Sequence, residues 1–414
     1  MTRYRWIITA ICFFAIIINY LDRSALSYAI TPLQQTFGFT NTDFGIIASA
    51  FGIGYLVMTV VGGILVDHYG ARKIWTASAV LWSFACSLLA LATGFWWLFM
   101  FRTLLGIAEG PNFPAFTRAT ADWLPVSERA RALAIGLAAV PFASVLGAPF
   151  ISHLVATVGW RWMFLILGLF GIIWSIIWFY AFRDQPQQSH YVSKKELQHI
   201  RAELESIPRK AHSLQQQKTT WRFMLFHRPL LVNNLAFFVF GYLLFFAITW
   251  LPGYLEQTYA IKVKAAGWFL VAPWSVATVM LLLGGVISDW LWKKTHSIRI
   301  ARSHIIWISQ ILSAACFIPI LLTPSLWTAI IFISLGVGFG MLPNAVFYAI
   351  NADLAHDRVA TSLGIMDCSF ALAGILAPLL TGYLATLTGN FVAAFSLLII
   401  LTLLSASAII LFQK

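Results

Sequence analysis

Two related stretches decide the fold: Gly63-Ile-Leu-Val-Asp67-His-Tyr-Gly70-Ala-Arg72-Lys73 follows the second apolar segment, and Gly285-Val-Ile-Ser-Asp289 follows the eighth. In each copy an aspartate comes four positions after a glycine, and basic residues follow the aspartate. A signature repeated at corresponding positions of two halves indicates a parallel internal duplication. The chain is therefore predicted to consist of two similar halves.

The composition indicates what the halves are made of. Of the 414 residues, 60% are hydrophobic and only 10% are charged, too few to cover a water-facing surface of this size. Charge-free stretches of at least about 20 residues, enough to cross a bilayer, recur along the chain. They are 44–66, 74–101, 132–160, 162–182, 229–255 and 265–288. Because backbone polar groups in lipid must be satisfied internally, these stretches predict transmembrane helices.

The remaining spans bring the total to twelve. Two longer stretches, 303–352 and 359–412, each hold two helices, and two further spans, 6–30 and 96–121, are interrupted by charges. The predicted fold class is all-α membrane, with twelve transmembrane helices in two six-helix halves. The halves are 1–182 and 229–414, and 183–228 is a polar linker between them.

The net charge of +12 is explained by membrane topology. Only Arg161, Lys262 and Lys264 fall in odd-numbered loops, whereas most other basic residues lie at the termini, in even-numbered loops or in the linker. By the positive-inside rule, both termini and the linker are expected to be cytoplasmic. The lipid bilayer, and not nucleic acid, is therefore the expected partner. The four cysteines lie in apolar helices, so neither a disulfide nor a metal site is expected.

Charged residues inside the first and fourth spans carry the predicted chemistry. The first span contains Asn19-Tyr20-Leu-Asp22-Arg23, and the fourth contains Arg102 and Glu109, followed by Gly-Pro and Phe-Pro. Charges at membrane depth are costly, so they indicate a functional site or, alternatively, structural ion pairs. Arg102 and Glu109 are two turns apart, about 10 Å along one helix, so each is expected to have another partner.

These stretches resemble those of a known family. The loop signature is similar to that of the major facilitator superfamily, although His68 stands where that family usually has arginine. The charged residues of the first and fourth spans resemble those of its anion:cation symporters, which include bacterial sugar-acid symporters, sialin and the vesicular glutamate transporters. The resemblance covers essentially the whole chain. It implies proton-coupled import of a small organic anion, such as a sugar acid, by a monomer in the bacterial inner membrane, with no cofactor beyond the proton gradient.

The resemblance also implies roles for individual residues. Arg102 is expected to contact the substrate carboxylate, and Asp22 and Glu109 are expected to exchange protons. Further residues expected to line or support the pocket are Arg23, Tyr20 and Tyr55. General chemistry agrees, since a guanidinium stays charged and offers two parallel donors to a carboxylate.

The second half supplies fewer charges to the predicted site. Asn344 and Tyr242 are candidate substrate contacts. The alternative for each is a purely structural role, in which its side chain forms an interhelical hydrogen bond. Asp367, inside the eleventh span, is unexpected in a pocket for an anion. It is either a second proton site, a partner for an amino group of the substrate, or an acid near the interface that pairs with a cytoplasmic basic residue.

The loop signature itself is expected to act as a latch between conformational states. An aspartate at the cytoplasmic end of a helix, near basic residues and a neighbouring helix terminus, can hold the outward-open state. The residues assigned to this latch are Gly63, Asp67, Gly70, Arg72, Lys73 and Asp289.

Two other classes of function share part of this pattern. An exporter of a drug, a siderophore or another small metabolite would have the same fold and loop signature, but the buried Arg102 favours an anionic ligand. A membrane sensor or intramembrane enzyme is disfavoured because no catalytic triad, HExxH or P-loop pattern is visible. The chain is therefore not expected to be an enzyme.

Overall fold

The computed structural model describes residues 3–206, 223, 226–322, 325–354 and 359–413, and most of them are helical. Nine helical segments of this described part are long and apolar enough to cross a membrane. One of them, Arg131–Ala181, is 51 residues long and changes direction at Gly159, whose φ is 83°. Glycine tolerates this left-handed backbone, so one continuous segment makes two passes.

The N-terminal half makes six passes with seven helices. They are α1 (Tyr4–Tyr28), α2 (Ile30–Phe37), α3 (Asn41–Tyr69), α4 (Ala71–Leu89), α5 (Phe95–Glu109), α6 (Asn112–Trp123) and α7 (Val126–Ala181). The fourth pass combines α5 and α6, which are separated at Gly110 and Pro111 because proline cannot continue the hydrogen-bond ladder of a helix. A capping box begins α3, in which the Thr40 side chain accepts from the Asp43 backbone N–H.

The C-terminal half makes the other six passes. Its helices are α9 (Arg228–Tyr259), α10 (Val263–Thr295), α11 (His304–Leu322), α12 (Leu326–Met341), α13 (Asn344–Leu354), α14 (Val359–Thr388) and α15 (Val392–Phe412), and α8 (Lys194–Ser206) lies between the halves. The tenth pass combines α12 and α13. The predicted fold class is thereby confirmed. The cytoplasmic position of both termini stays a prediction.

The predicted linker 183–228 is described in part, and its residues 207–222, 224 and 225 lie outside the described residues. Its helix α8 is held against the first half by Glu196. This carboxylate accepts from the backbone N–H of Tyr4 and of Arg5, both at 3.2 Å, and from Arg5 Nη1 at 3.1 Å. Arg5 also pairs with Glu128 of α7 at 2.7 Å. The domain boundaries 182 and 229 stay predictions.

The two halves touch at one end of the bundle, here called the opposite face and defined by Gln34, Asn41 and Gln257. An added Cβ at Gly45 of α3 would lie 2.6 Å from the Pro378 carbonyl oxygen of α14, so the two backbones are in contact. Asn41 Nδ2 donates to Gln257 Oε1 at 3.1 Å, and Gln257 Nε2 donates to Gln34 Oε1 at 3.4 Å. Uncharged contacts therefore close this face.

The other end, here called the signature face, carries Asp67 and Asp289. Asp67 pairs with Arg118 at 3.2 Å, and Asp289 pairs with Arg302 at 3.9 Å, each within its own half. Arg302 also pairs with Asp353 at 3.5 Å. Within the described ranges, no ion pair at this face joins the two halves.

The contact between α3 and α14 is confined to the part of α3 nearer the opposite face. An added Cβ at Gly52 would lie 2.9 Å from the carbonyl carbon of Gly374, whereas Val57, Val60 and Ile64, further along α3, are exposed. The close approaches of the α3 glycines to α14 therefore lie between Gly45 and Gly52. With contacts across the halves at the opposite face and no ion pair across them at the signature face among the described residues, this conformation is closed at the opposite face.

Candidate functional site

A buried ion pair joins the first and fourth passes. Arg23 Nε of α1 donates to Glu109 Oε2 of α5 at 2.7 Å, and the two side chains are 2% and 0% exposed. The partner that Glu109 was expected to have is thus Arg23, which stands 86 positions earlier in the chain. Arg23 Nη1 and Nη2 and Glu109 Oε1 are buried without a hydrogen-bond partner among the described residues. Four of the five N–H donors of this arginine are therefore unused.

Three aromatic rings surround the Arg23 guanidinium. Its central carbon lies 4.7 Å from the ring centroid of Tyr20, 4.8 Å from that of Phe51 and 4.6 Å from that of Tyr55. Stacking on aromatic faces stabilises a cation without occupying its N–H donors. The two terminal nitrogens consequently remain available to a planar acceptor such as a carboxylate. Of these rings, sequence reasoning identified Tyr20 and Tyr55 and missed Phe51, whose spacing in α3 is that of an ordinary core residue.

Arg102 contacts the backbone of α1. Its Nη1 lies 3.5 Å from the Asp22 carbonyl oxygen, its Nη2 lies 3.4 Å from the Arg23 carbonyl oxygen, and its guanidinium lies 5.2 Å from the Phe51 ring centroid. These bonds are long, and Arg102 Nε has no partner among the described residues. Arg102 therefore supports the segment that presents Arg23, and its contact with a substrate carboxylate stays a prediction.

Asp22 of α1 is fully buried. Its Oδ1 accepts from the Cys86 thiol at 3.6 Å, and its Oδ2 has no partner among the described residues. No arginine or lysine of the described part lies within ion-pair distance of it. A carboxylate without a cation is expensive in such surroundings.

Asp367 faces the same region from the second half. It is half-buried on α14, and no described residue donates to its carboxylate or pairs with it. It stands seven residues, two helical turns, before Gly374, which meets Gly52 of α3, so it lies on the face of α14 that is turned toward the first half. One of the three interpretations of Asp367 pairs it with a cytoplasmic basic residue. Among the described residues, no basic residue forms an ion pair with it.

The other two predicted contacts in this half, Tyr242 and Asn344, have surroundings of their own. Tyr242 is 0% exposed, its ring lies 6.3 Å from that of Phe238, and its hydroxyl neighbours Thr381 of α14. Asn344 begins α13, and its side-chain oxygen is buried without a described partner. Tyr242 is therefore part of the packing between helices of the second half, and a role in substrate contact stays a prediction for both residues.

The signature residues of the first half lie around the start of α4. Gly70 has a φ of 87°, and an added Cβ there would lie 2.8 Å from the carboxylate of Asp184. Asp184 accepts from the Arg72 backbone N–H at 2.9 Å, and Arg72 Nε donates to the Phe179 carbonyl at 2.9 Å. Asp184, which sequence reasoning missed, thus satisfies the N-terminus of α4.

The remaining signature residues are placed as follows: Gly63 lies beside Pro114, with 3.9 Å between its added Cβ and that ring, and Lys73 is exposed. The latch role of the signature stays a prediction, because both aspartates pair within their own halves in this conformation.

The comparisons with known proteins agree on one family. The model of the Major Facilitator Superfamily matches residues 12–343. The hexuronate transporter of Bacillus subtilis (strain 168) is 31% identical over 405 residues, which are 97% of this chain and 93% of that protein. A probable sulfoacetate transporter of Cupriavidus necator is 32% identical over 376 residues, 90% of this chain and 86% of that protein. The D-galactonate transporter of Escherichia coli O6:H1 is 30% identical over 389 residues, with 92% and 90% covered.

A solved structure shares the fold. It is a bacterial homolog of the human lysosomal transporter Spinster in an inward-facing and unoccupied conformation, with a TM-score of 0.79, 18% identity and coverage of 100% of this chain and 98% of that chain. Together with the duplicated signature and the charged residues of α1 and α5, these matches confirm the expected resemblance to sugar-acid transporters. The chain belongs to the major facilitator superfamily and is a multi-pass membrane transporter, not an enzyme.

Proposed function

We propose that the protein is a proton-coupled symporter that imports a small organic anion, a sugar acid or another carboxylate, by alternating access. It acts as a monomer in the bacterial inner membrane and uses the proton gradient without a further cofactor. Relatives named for hexuronate, galactonate and sulfoacetate support an anionic substrate, since all three compounds are organic acids.

The observation that carries this proposal is the buried Arg23–Glu109 pair with its two unused terminal nitrogens. When Glu109 takes up a proton, the pair loses its negative partner and leaves a buried guanidinium uncompensated. An unpaired buried charge is strongly destabilising, so an anion that binds Arg23 restores the balance. Proton binding and anion binding therefore favour each other, and this linkage is reciprocal.

The transport cycle follows from this linkage. In the state open to the opposite face, Glu109 and Asp22 take up protons and Arg23 holds the anion through its terminal nitrogens. The loaded transporter then changes to the state open to the signature face, which lies in the cytoplasm. Loss of the protons there restores the Arg23–Glu109 pair, and the anion is released.

The test uses the purified protein in liposomes with an inward proton gradient and a panel of organic acids. We expect accumulation of at least one acid, abolished by a protonophore. Glu109→Gln is expected to lose accumulation against a gradient but to retain exchange of labelled for unlabelled substrate, because the amide cannot release a proton. Glu128→Gln is the matched control, since it removes the acid of another Arg–Glu pair in the same half, which does not contact the Arg23–Glu109 pair.

Two results would contradict the proposal. If Glu109→Gln accumulates substrate as the unmodified protein does, the assignment of the coupling residue is wrong. If no acid is taken up and a neutral compound is expelled instead, the function is wrong.

A further inference from the structure

The second half contains an acid that has no partner among the described residues. Asp367 is half-buried at membrane depth, and within the described ranges it has neither a cation nor a hydrogen-bond donor. The acids of the first half differ, since Glu109 pairs with Arg23 and Asp22 accepts from Cys86. An ionised carboxylate at this depth needs a group that compensates its charge, and without one it takes up a proton.

Three tyrosines connect Asp367 to the anion site. Tyr20 and Tyr55 stack on the Arg23 guanidinium at 4.7 Å and 4.6 Å. Tyr20 is also within electrostatic reach of Asp367, and Tyr348 is within reach of Asp367, Tyr20 and Tyr55. The cation on α1 and the acid on α14 thus both lie within reach of the same phenol groups.

The depth of the two charges can be read from the contact between α3 and α14. Phe51, which stacks on Arg23 at 4.8 Å, directly precedes Gly52, and Gly52 abuts Gly374. Asp367 is seven residues before Gly374, so it lies about 10 Å nearer the signature face along α14. The separation between the level of Arg23 and that of Asp367 is therefore about the length of a small organic molecule.

The charge of Asp367 determines which chemical group is favoured at the end of the substrate that does not touch Arg23. A second carboxylate on the substrate would be repelled by it, a hydroxyl would form an ordinary hydrogen bond, and an ammonium would form a stronger, charge-assisted one. A proton on Asp367, by contrast, would release no described partner, so its binding would not be linked to that of the anion in the way that a proton on Glu109 is.

We therefore propose that the transported organic acid is a zwitterion, whose protonated amino group Asp367 holds while its carboxylate lies on Arg23. This inference rests on the anion site of the proposed function and narrows it to amino-substituted acids whose amino group is remote from the carboxylate. It excludes dicarboxylates as good substrates.

The test compares three compounds of equal chain length that differ only at the far end: γ-aminobutyrate, γ-hydroxybutyrate and succinate. Binding to the purified, full-length protein is measured at neutral pH, and exchange is measured in liposomes. We expect the amino acid to bind at least ~10-fold tighter than the hydroxy acid, with succinate weakest. The comparison is repeated with ε-aminocaproate, ε-hydroxycaproate and adipate, so that one chain length does not decide the result.

Two variants assign the preference to the side chain. Asp367→Asn keeps the shape but removes the charge, and it is expected to abolish the preference for the amino compound and to improve the binding of the dicarboxylate. Cys368→Ala, at the next position of α14 where the side chain is exposed, is the control and is expected to leave the ranking unchanged.

The outcomes separate this inference from the function on which it rests. If the hydroxy acid binds as well as the amino acid, and Asp367→Asn changes neither, the inference is overturned while the anion site stands. If Asp367→Asn leaves the ranking intact but lowers the number of protons moved per anion, Asp367 is a proton site and the inference is again overturned. If no acid of any kind binds to protein that unfolds cooperatively on heating, the proposed function itself is wrong.

Discussion

The two halves of the bundle share their helical plan but differ in the chemistry of their buried side chains. At membrane depth the first half buries Arg23 and Arg102 together with Asp22 and Glu109 on α1 and α5, with Arg23 and Glu109 directly paired. The second half contributes the half-buried acid Asp367 together with amide and phenol groups. Because the Arg23–Glu109 pair lies within one half, it can keep its geometry while the halves move relative to each other. Under the proposed function, the first half would handle protons and the second half would select the substrate.

The amides of the second half are engaged in holding helices together. Asn233 Nδ2 of α9 donates to the Phe347 carbonyl at 3.1 Å, and Asn351 Nδ2 of α13 lies 3.0 Å from the sulfur of Met366 in α14. Such interhelical bonds stabilise packing where no water is available. These two amides therefore support the packing of the second half, whereas the unpaired donors of the first half include the terminal nitrogens of the buried Arg23.

Replacement of Arg23 by lysine is expected to give the largest effect. A lysine keeps the charge but cannot present two parallel donors or stack on three rings, so the affinity for the organic anion should fall by ~100-fold or more. Binding of the labelled substrate to the purified protein measures this. Arg161→Lys, at an exposed arginine stacked on Trp160, is the matched control and should leave the affinity unchanged. Equal affinities of the two variants would contradict the assignment of Arg23.

The contact between the halves can be broken at Gly45, with an intermediate effect expected. A valine there would clash with the backbone of Pro378, which cannot move aside, so the opposite face should no longer close. Disulfide formation between Asn41→Cys and Gln257→Cys, whose side chains touch across this face, should then fall by ~10-fold.

Gly94→Val provides the control for this experiment, since an added Cβ at Gly94 meets nothing within 4 Å. Undiminished cross-linking in Gly45→Val would show that the halves do not meet through α3 and α14.

The smallest effect is expected at the Arg5–Glu128 pair, which has the same residue types as the Arg23–Glu109 pair but is partly exposed. Glu128 precedes the apolar span Arg131–Ala181, and the hydrogen bond from Arg5 holds the pKa of its carboxyl below the usual range. Glu128→Gln should lower the stability by about 1 kcal/mol at neutral pH.

The pH dependence of this loss has a definite sign. A carboxyl whose pKa is lowered by folding stabilises the protein at pH values above its unfolded pKa, about 4.3, and this contribution disappears as the pH falls through the folded pKa. The thermal unfolding temperatures of Glu128→Gln and the unmodified protein should therefore converge at acidic pH. A deficit of Glu128→Gln that persists at low pH would show that the ion pair is not its cause.

Most of the fold could be predicted from the sequence, because in lipid the hydrophobic pattern alone is nearly sufficient to locate the transmembrane helices. The apolar stretches gave the passes, and the glycine and aspartate of the signature gave the duplication. Breaks within a pass, such as that at Ala29 between α1 and α2, were not predicted, since Ala29 carries no turn signal. The docking of α8 through Glu196 was also missed, because it depends on a partner near the start of the chain.

The members of the candidate site could be predicted, but not their pairing. Buried charge is visible in a sequence, whereas the bond between Arg23 and Glu109 depends on how α1 and α5 are brought together. The same limit applies to Arg102, whose contacts with the α1 backbone involve carbonyl groups that no side-chain pattern reveals. The lack of a partner for Asp367 likewise became visible only in three dimensions.

The movement of protons with the substrate tests the central claim most directly. Liposomes that contain the protein and a trapped pH-sensitive dye are given the transported acid outside, without an imposed pH gradient. The Arg23–Glu109 linkage predicts that the interior acidifies as the anion enters, and that Glu109→Gln exchanges the anion without any such acidification. Entry of the anion without acidification, or equal acidification with Glu109→Gln, would contradict it.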